Sequence, residues 1–77
     1  MKHMIKLFPC EKLNEYIQGR ISGFIHILSG MPEMSYSWMR SGEGIETLRF
    51  DCTDEQFALI KATIDKQYGG VIEYVFE

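Results

Sequence analysis

The sequence predicts a single two-layer α+β domain over residues 1–77, with the element order strand, helix, strand, strand, helix, strand. Two observations lead there. Apolar spacing changes twice from an alternating pattern to a helical one, which is the primary signal separating strand from helix. Gly and Pro fall at a few sharp boundaries, and no linker, repeat or low-complexity tract divides the chain.

The segment Met4 to Phe8 is apolar apart from one lysine and is ended by Pro9, as expected of a first strand. From Cys10 to about Ser29 the spacing becomes helical. Leu13, Ile17, Ile21, Phe24, Ile25 and Leu28 form one stripe, and Glu11, Glu15, Gln18, Ser22, His26 and Ser29 form a polar one. A competing reading ends this helix at Gly19 and makes Ile21 to Leu28 a strand, which the β-branched content and Gly23 would favour. Alternation argues against it, because that strand would set Phe24 and Leu28 beside Ser22 and His26 on one face. Gly19 and Gly23 stand one turn apart and read as a place where the helix packs closely on the sheet.

Gly30, Met31 and Pro32 break the pattern. Strands over Met34 to Arg40 and Ile45 to Cys52 follow, joined by Ser41-Gly42-Glu43-Gly44, whose glycines supply the positive φ of a tight hairpin. Met34, Tyr36 and Trp38 alternate with serines in the first, and Leu48, Phe50 and Cys52 alternate with Arg49 and Asp51 in the second. Thr53-Asp54-Glu55-Gln56 has the form of a capping box, in which Thr53 and Gln56 each satisfy the other's backbone amide. Phe57, Ile60, Ile64 and Tyr68 continue at helical spacing until Gly69-Gly70. Val71 to Phe76 closes the chain as a strand with Ile72, Tyr74 and Phe76 on one side.

With right-handed crossovers, this order folds into a ferredoxin-like sandwich: a four-stranded antiparallel sheet with two helices on one face. The first and third strands are then central, and Met34 to Arg40 and Val71 to Phe76 are edges. The resemblance is one of architecture, and this fold hosts many unrelated functions.

Composition limits those functions. The chain is 45% hydrophobic and 25% charged with a net charge of -3, which excludes a disordered polyelectrolyte. It has no apolar run near the roughly 20 residues that cross a bilayer and no signal-like leader, so a cytoplasmic location without a membrane partner is expected. Cys10 and Cys52 are accordingly read as reduced thiols.

Nucleic acid is disfavoured. The open face, expected to carry Met4, Lys6, Phe8, Thr47, Arg49, Asp51, Val71, Glu73 and Val75, has one aromatic residue, and eleven acidic residues outnumber eight basic ones. No pair among His3, His26, Cys10 and Cys52 has metal-ligand spacing, so no metal or cofactor is expected. His26 reads as solvated. Without a nucleophile elbow or an oriented base, no catalytic residue is expected either.

The most unusual stretch is Met31 to Met39, which holds three methionines, Tyr36 and Trp38 beside a sheet edge. Met and aromatic side chains are enriched in protein interfaces, and an edge strand offers unpaired backbone groups. The bland alternative is that Met34, Tyr36 and Trp38 complete a small core. The expected contact surface is Tyr36, Trp38, Met39, Phe8 and Val75, serving another protein or a homodimer. A chain of this length is marginally stable alone, which adds weight to self-association. The expected function is a small non-catalytic regulatory protein, an inhibitor or adaptor, that acts by protein contact. The alternatives are a sensor domain holding a metabolite at a dimer interface, and an RNA-binding module. The sensor's motif would be a Gly-containing turn after the first strand, where this chain has Phe8-Pro9-Cys10-Glu11.

Overall fold

The structure is a computed structural model, and it describes residues 2–30 and 38–77. Its elements run β1 (Lys2–Leu7), α1 (Glu15–Ser29), β2 (Met39–Arg40), β3 (Glu46–Asp51), α2 (Asp54–Tyr68) and β4 (Tyr74–Phe76). The sheet has the order β2-β3-β1-β4 with antiparallel pairing throughout, so the first and third strands are central as expected. Both helices cover one face, and the architecture is the two-layer ferredoxin-like α+β sandwich.

The core follows from the alternation of the strands. Ile5 and Leu7 from β1, Leu48 and Phe50 from β3, and Cys52 just beyond it turn toward Ile21 and Ile25 of α1 and Ile60, Ile64 and Tyr68 of α2. Seven of these side chains are fully buried, and burying each contributes roughly 1.5–3 kcal/mol.

Residues Ile21 to Leu28 are helical, which settles the choice between helix and strand. The helix begins at Glu15 and not at Cys10, because Asn14 caps it: Asn14 Oδ1 accepts from the amide of Ile17 at 2.9 Å. It ends where Gly30, at φ 71°, donates its N–H to the carbonyl of His26. Ser29, expected on the polar stripe, is buried, and its hydroxyl donates to the carbonyl of Ile25. His26 is half-buried. The expected close approach at Gly19 and Gly23 is absent among the described residues. A Cβ at either position would meet nothing within 4 Å among the described residues.

The hairpin forms where expected, with Gly44 at φ 85° and reciprocal bonds between Ser41 and Ile45. Of the expected second strand, residues 34–37 lie outside the described residues, and Met39–Arg40 pairs with Thr47 and Glu46. The capping box of α2 is present in both directions, Gln56 N to Thr53 Oγ1 at 3.1 Å and Thr53 N to Gln56 Oε1 at 2.8 Å. The last strand starts later than the sequence suggests. The amides of Val71 and Ile72 both donate to the carbonyl of Tyr68, so these residues finish the turn of α2 and cannot join the ladder.

Candidate functional site

The sheet has one face under the helices and one without a covering layer among the described residues. Cross-strand register arranges the second face in rows. In one row Met39 stands beside Thr47, Thr47 beside Lys6, and Lys6 beside Val75, so the row crosses all four strands. One pleat along, Met4 stands beside Arg49 and exchanges both backbone bonds with Glu77. At one end Lys2 stands beside Asp51. At the other, Phe8 and Ile45 each lie one residue beyond the Leu7 and Glu46 pair, and Phe8 donates its amide to the carbonyl of Glu73.

This register brings together three of the five residues expected to form a contact surface. Phe8, Met39 and Val75 share the open face with Met4 and Ile45, and none of these five packs on the core. Met39 is 66% exposed and Val75 36%. Trp38 is placed elsewhere. It packs against the core, with its indole Nε1 donating to Ser22 Oγ on α1, so it belongs to the helix side of the molecule. Tyr36 lies outside the described residues. Val71, expected on the open face, is held in the turn after α2, whereas Met4 and Ile45 complete the apolar set.

The charges on this face balance. Lys2, Lys6 and Arg49 are interleaved with Asp51, Glu73 and Glu77, and Lys6 Nζ lies 2.8 Å from Glu77 Oε2. A face with no excess of positive charge has little to attract a phosphate backbone.

A second feature lies at the end of the sheet, where the β1–α1 turn meets the β2–β3 hairpin. A half-open cavity of about 370 Å³ is lined there by Pro9, Cys10 and Leu13, by Asn14 and Gln18 at the start of α1, and by Arg40 and Glu46. Sequence reading missed Glu46. The inward series Leu48, Phe50, Cys52 extends back to it, and this carboxylate is 6% exposed with the guanidinium of the exposed Arg40 as its partner. An uncompensated buried carboxylate would cost several kcal/mol, so this pair is what permits Glu46 to face inward.

The remaining reactive side chains have structural surroundings. Cys52 sits in the core, and burial pushes its thiol up, which makes it a poor nucleophile. Cys10 is half-buried at the cavity wall. His3 stacks on Phe57 with ring centroids 3.7 Å apart, and its buried Nε2 has no hydrogen-bond partner among the described residues. No three His, Cys, Asp or Glu side chains among the described residues gather as a metal site would require. No helix there is long and apolar enough to cross a membrane.

No family model, curated protein or solved structure matches the chain.

Proposed function

We infer that the chain is a non-catalytic binding protein that acts by protein contact, with self-association as part of its action, through the open face of its sheet. One observation carries the reading: Met4, Phe8, Met39, Ile45 and Val75 share a face that neither helix covers. Clustered apolar side chains on a small domain mark contact surfaces, because water gains most when such a patch is removed from it as a unit.

The test is hydrodynamic. Wild-type protein and Val75→Asp are compared by sedimentation, both purified and added to an extract of the native cell. Wild type is expected in an assembly larger than the 9.0 kDa chain, and Val75→Asp as the single chain with an unchanged circular dichroism spectrum. Single-chain sedimentation of the wild type in both settings would rule the reading out.

The cavity beside the β1–α1 turn favours a second reading, a small-ligand sensor. Its volume lies within the range of small-molecule sites, and it combines apolar walls with Gln18, Arg40 and Glu46. A thermal-shift screen with amino acids and nucleotides tests it, since a ligand that binds only the folded state must raise the melting temperature. A flat response across the panel counts against sensing of those two classes.

A further inference from the structure

We propose that the cavity between the β1–α1 turn and the β2–β3 hairpin binds a free α-amino acid with an aliphatic side chain, its ammonium on Glu46 and its carboxylate on Arg40. This proposal rests on the sensing reading and names the class of ligand sensed.

The charges of the cavity come as a pair. Glu46 and Arg40 are cross-strand neighbours on β3 and β2, and Arg40 Nε donates to Glu46 Oε1 at 2.5 Å. One is deep and the other stands at the rim: Glu46 is 6% exposed, whereas the Arg40 side chain is 72% exposed. Neither is used up by the other. A guanidinium has several N–H groups and an ionised carboxylate several acceptor sites, and their mutual bond takes one of each. The others have no protein partner among the described residues. The side-chain amide of Gln18, also on the cavity wall, makes no hydrogen bond among them either.

A ligand that satisfies both groups must carry both charges. A phosphate or a simple carboxylic acid could pair with Arg40 but would stand against Glu46 and Glu15, since two carboxylates and one guanidinium line the cavity. A simple amine could pair with Glu46 but would bring a cation against Arg40. Such like-charge contacts are repulsive, most strongly where water is excluded. An α-amino acid carries its ammonium and its carboxylate on one carbon atom. It can therefore lay a second ion pair on the first with the signs reversed, and each contact is a charge-assisted hydrogen bond.

Size and lining point the same way. The volume of about 370 Å³ lies at the lower end of small-molecule sites, which suits a ligand of amino-acid size. No aromatic ring lines the cavity among the described residues, so a nucleobase would find no face to stack on. Pro9 and Leu13 supply the apolar wall, against which an aliphatic side chain can lie.

Binding is read at neutral pH by the melting temperature and by amide chemical shifts. L-alanine, L-valine and L-leucine, each at about 10 mM, are compared with their N-acetyl and carboxamide forms and with adenosine and guanosine monophosphates. A parent amino acid present at about tenfold above its dissociation constant should raise the melting temperature by about 5 °C or more. The blocked forms each lack one charge and should raise it by less than about 1 °C. Equal rises for parent and blocked forms overturn the two-point attachment, and a rise with the nucleotides alone overturns the ligand class. Both of those results leave a sensing role standing. A flat response throughout overturns the proposal and, for these two classes, the sensing reading with it. Glu46→Gln keeps the side-chain shape and an acceptor for Arg40 but not the charge, and it should weaken amino-acid binding about tenfold or more. Unchanged affinity in that variant overturns the site. Wild type locates the ligand without any variant: the amides of Cys10, Gln18 and Gly44 should be among those that shift, and shifts confined to other parts of the molecule overturn the site as well.

Discussion

At the scale of single residues, Trp38 and Met39 are neighbours in sequence with opposite roles. Trp38 lies against the core and donates to Ser22, whereas Met39 stands two-thirds exposed on the other face. Trp38→Ala should therefore lower unfolding free energy by about 2 kcal/mol, less than the 3–5 kcal/mol of a fully buried aromatic because the ring is only half-buried. Met39→Ala should change it by less than about 0.5 kcal/mol in dilute protein. Urea unfolding of both variants checks the contrast, and equal stabilities would contradict the placement of Trp38. Tyr74 supplies a pH-dependent test. Burial, and the hydrogen bond its hydroxyl donates to Asp65, push its pKa from 10.0 up to about 12. Between these values the unfolded chain has lost the phenolic proton while the folded chain keeps it, so folding takes up a proton. This contribution is whole below pH 10 and is lost as pH rises through about 12. Urea midpoints measured across that range should fall more steeply for wild type than for Tyr74→Phe, and parallel curves would refute the linkage.

At the scale of elements, the helices test how much propensity contributes beside packing. Gly19 is exposed within α1, and a Cβ there would meet nothing within 4 Å among the described residues. Gly19→Ala should stabilise the protein by roughly 0.5–1 kcal/mol, since alanine restricts the unfolded chain and is the better helix former. Thr53→Ala removes the acceptor for the Gln56 amide and should cost about 1 kcal/mol. Chemical denaturation reads both, and a destabilising Gly19→Ala would mean that something does approach that position. The same elements show what the sequence carried. The capping box, the Gly44 turn and the alternation of Leu48, Phe50 and Cys52 are local signals, with cause and effect a few residues apart, and the structure has each of them. The start of α1 was also written locally, in Asn14 followed by Glu15, but the apolar period runs on through Leu13 and obscured it. Val71 could not be read from pattern. Its β-branched side chain suits a strand, yet its amide is taken by the carbonyl of Tyr68, a preference settled by how α2 ends. Glu46 was illegible for a different reason. A carboxylate turns inward only because Arg40 is its cross-strand neighbour, and that depends on the register of the hairpin. Three of the five expected surface residues share a face because strand alternation is itself a period-two signal. Trp38 packs on the core as the alternative reading of the alternation with serines had it, and Met39 stays outside.

At the scale of the whole molecule, stability and association are one problem. A domain of this size buries only a little over 60% of the surface its unfolded chain exposes, so its free energy of folding is a small difference between large terms. The inner layer uses one face of the sheet, while Met4, Phe8, Met39, Ile45 and Val75 stay outside it. If that second face closes on another copy, folding and pairing are linked by mass action, and apparent stability must depend on protein concentration. Well above the dissociation constant, each tenfold rise in concentration makes unfolding harder by about 1.4 kcal/mol of dimer. Well below it, the melting temperature is flat. Self-association should therefore show as a curve that is flat in dilute protein and rises by a few degrees per decade at concentrations up to about 1 mM. Phe8→Asp places a carboxylate among the apolar side chains of the open face and should flatten the curve at every concentration. Calorimetry over that range decides the matter. A wild-type curve flat to 1 mM would mean that the covered face alone holds this fold together, and that the apolar residues of the open face contribute nothing to its stability through pairing.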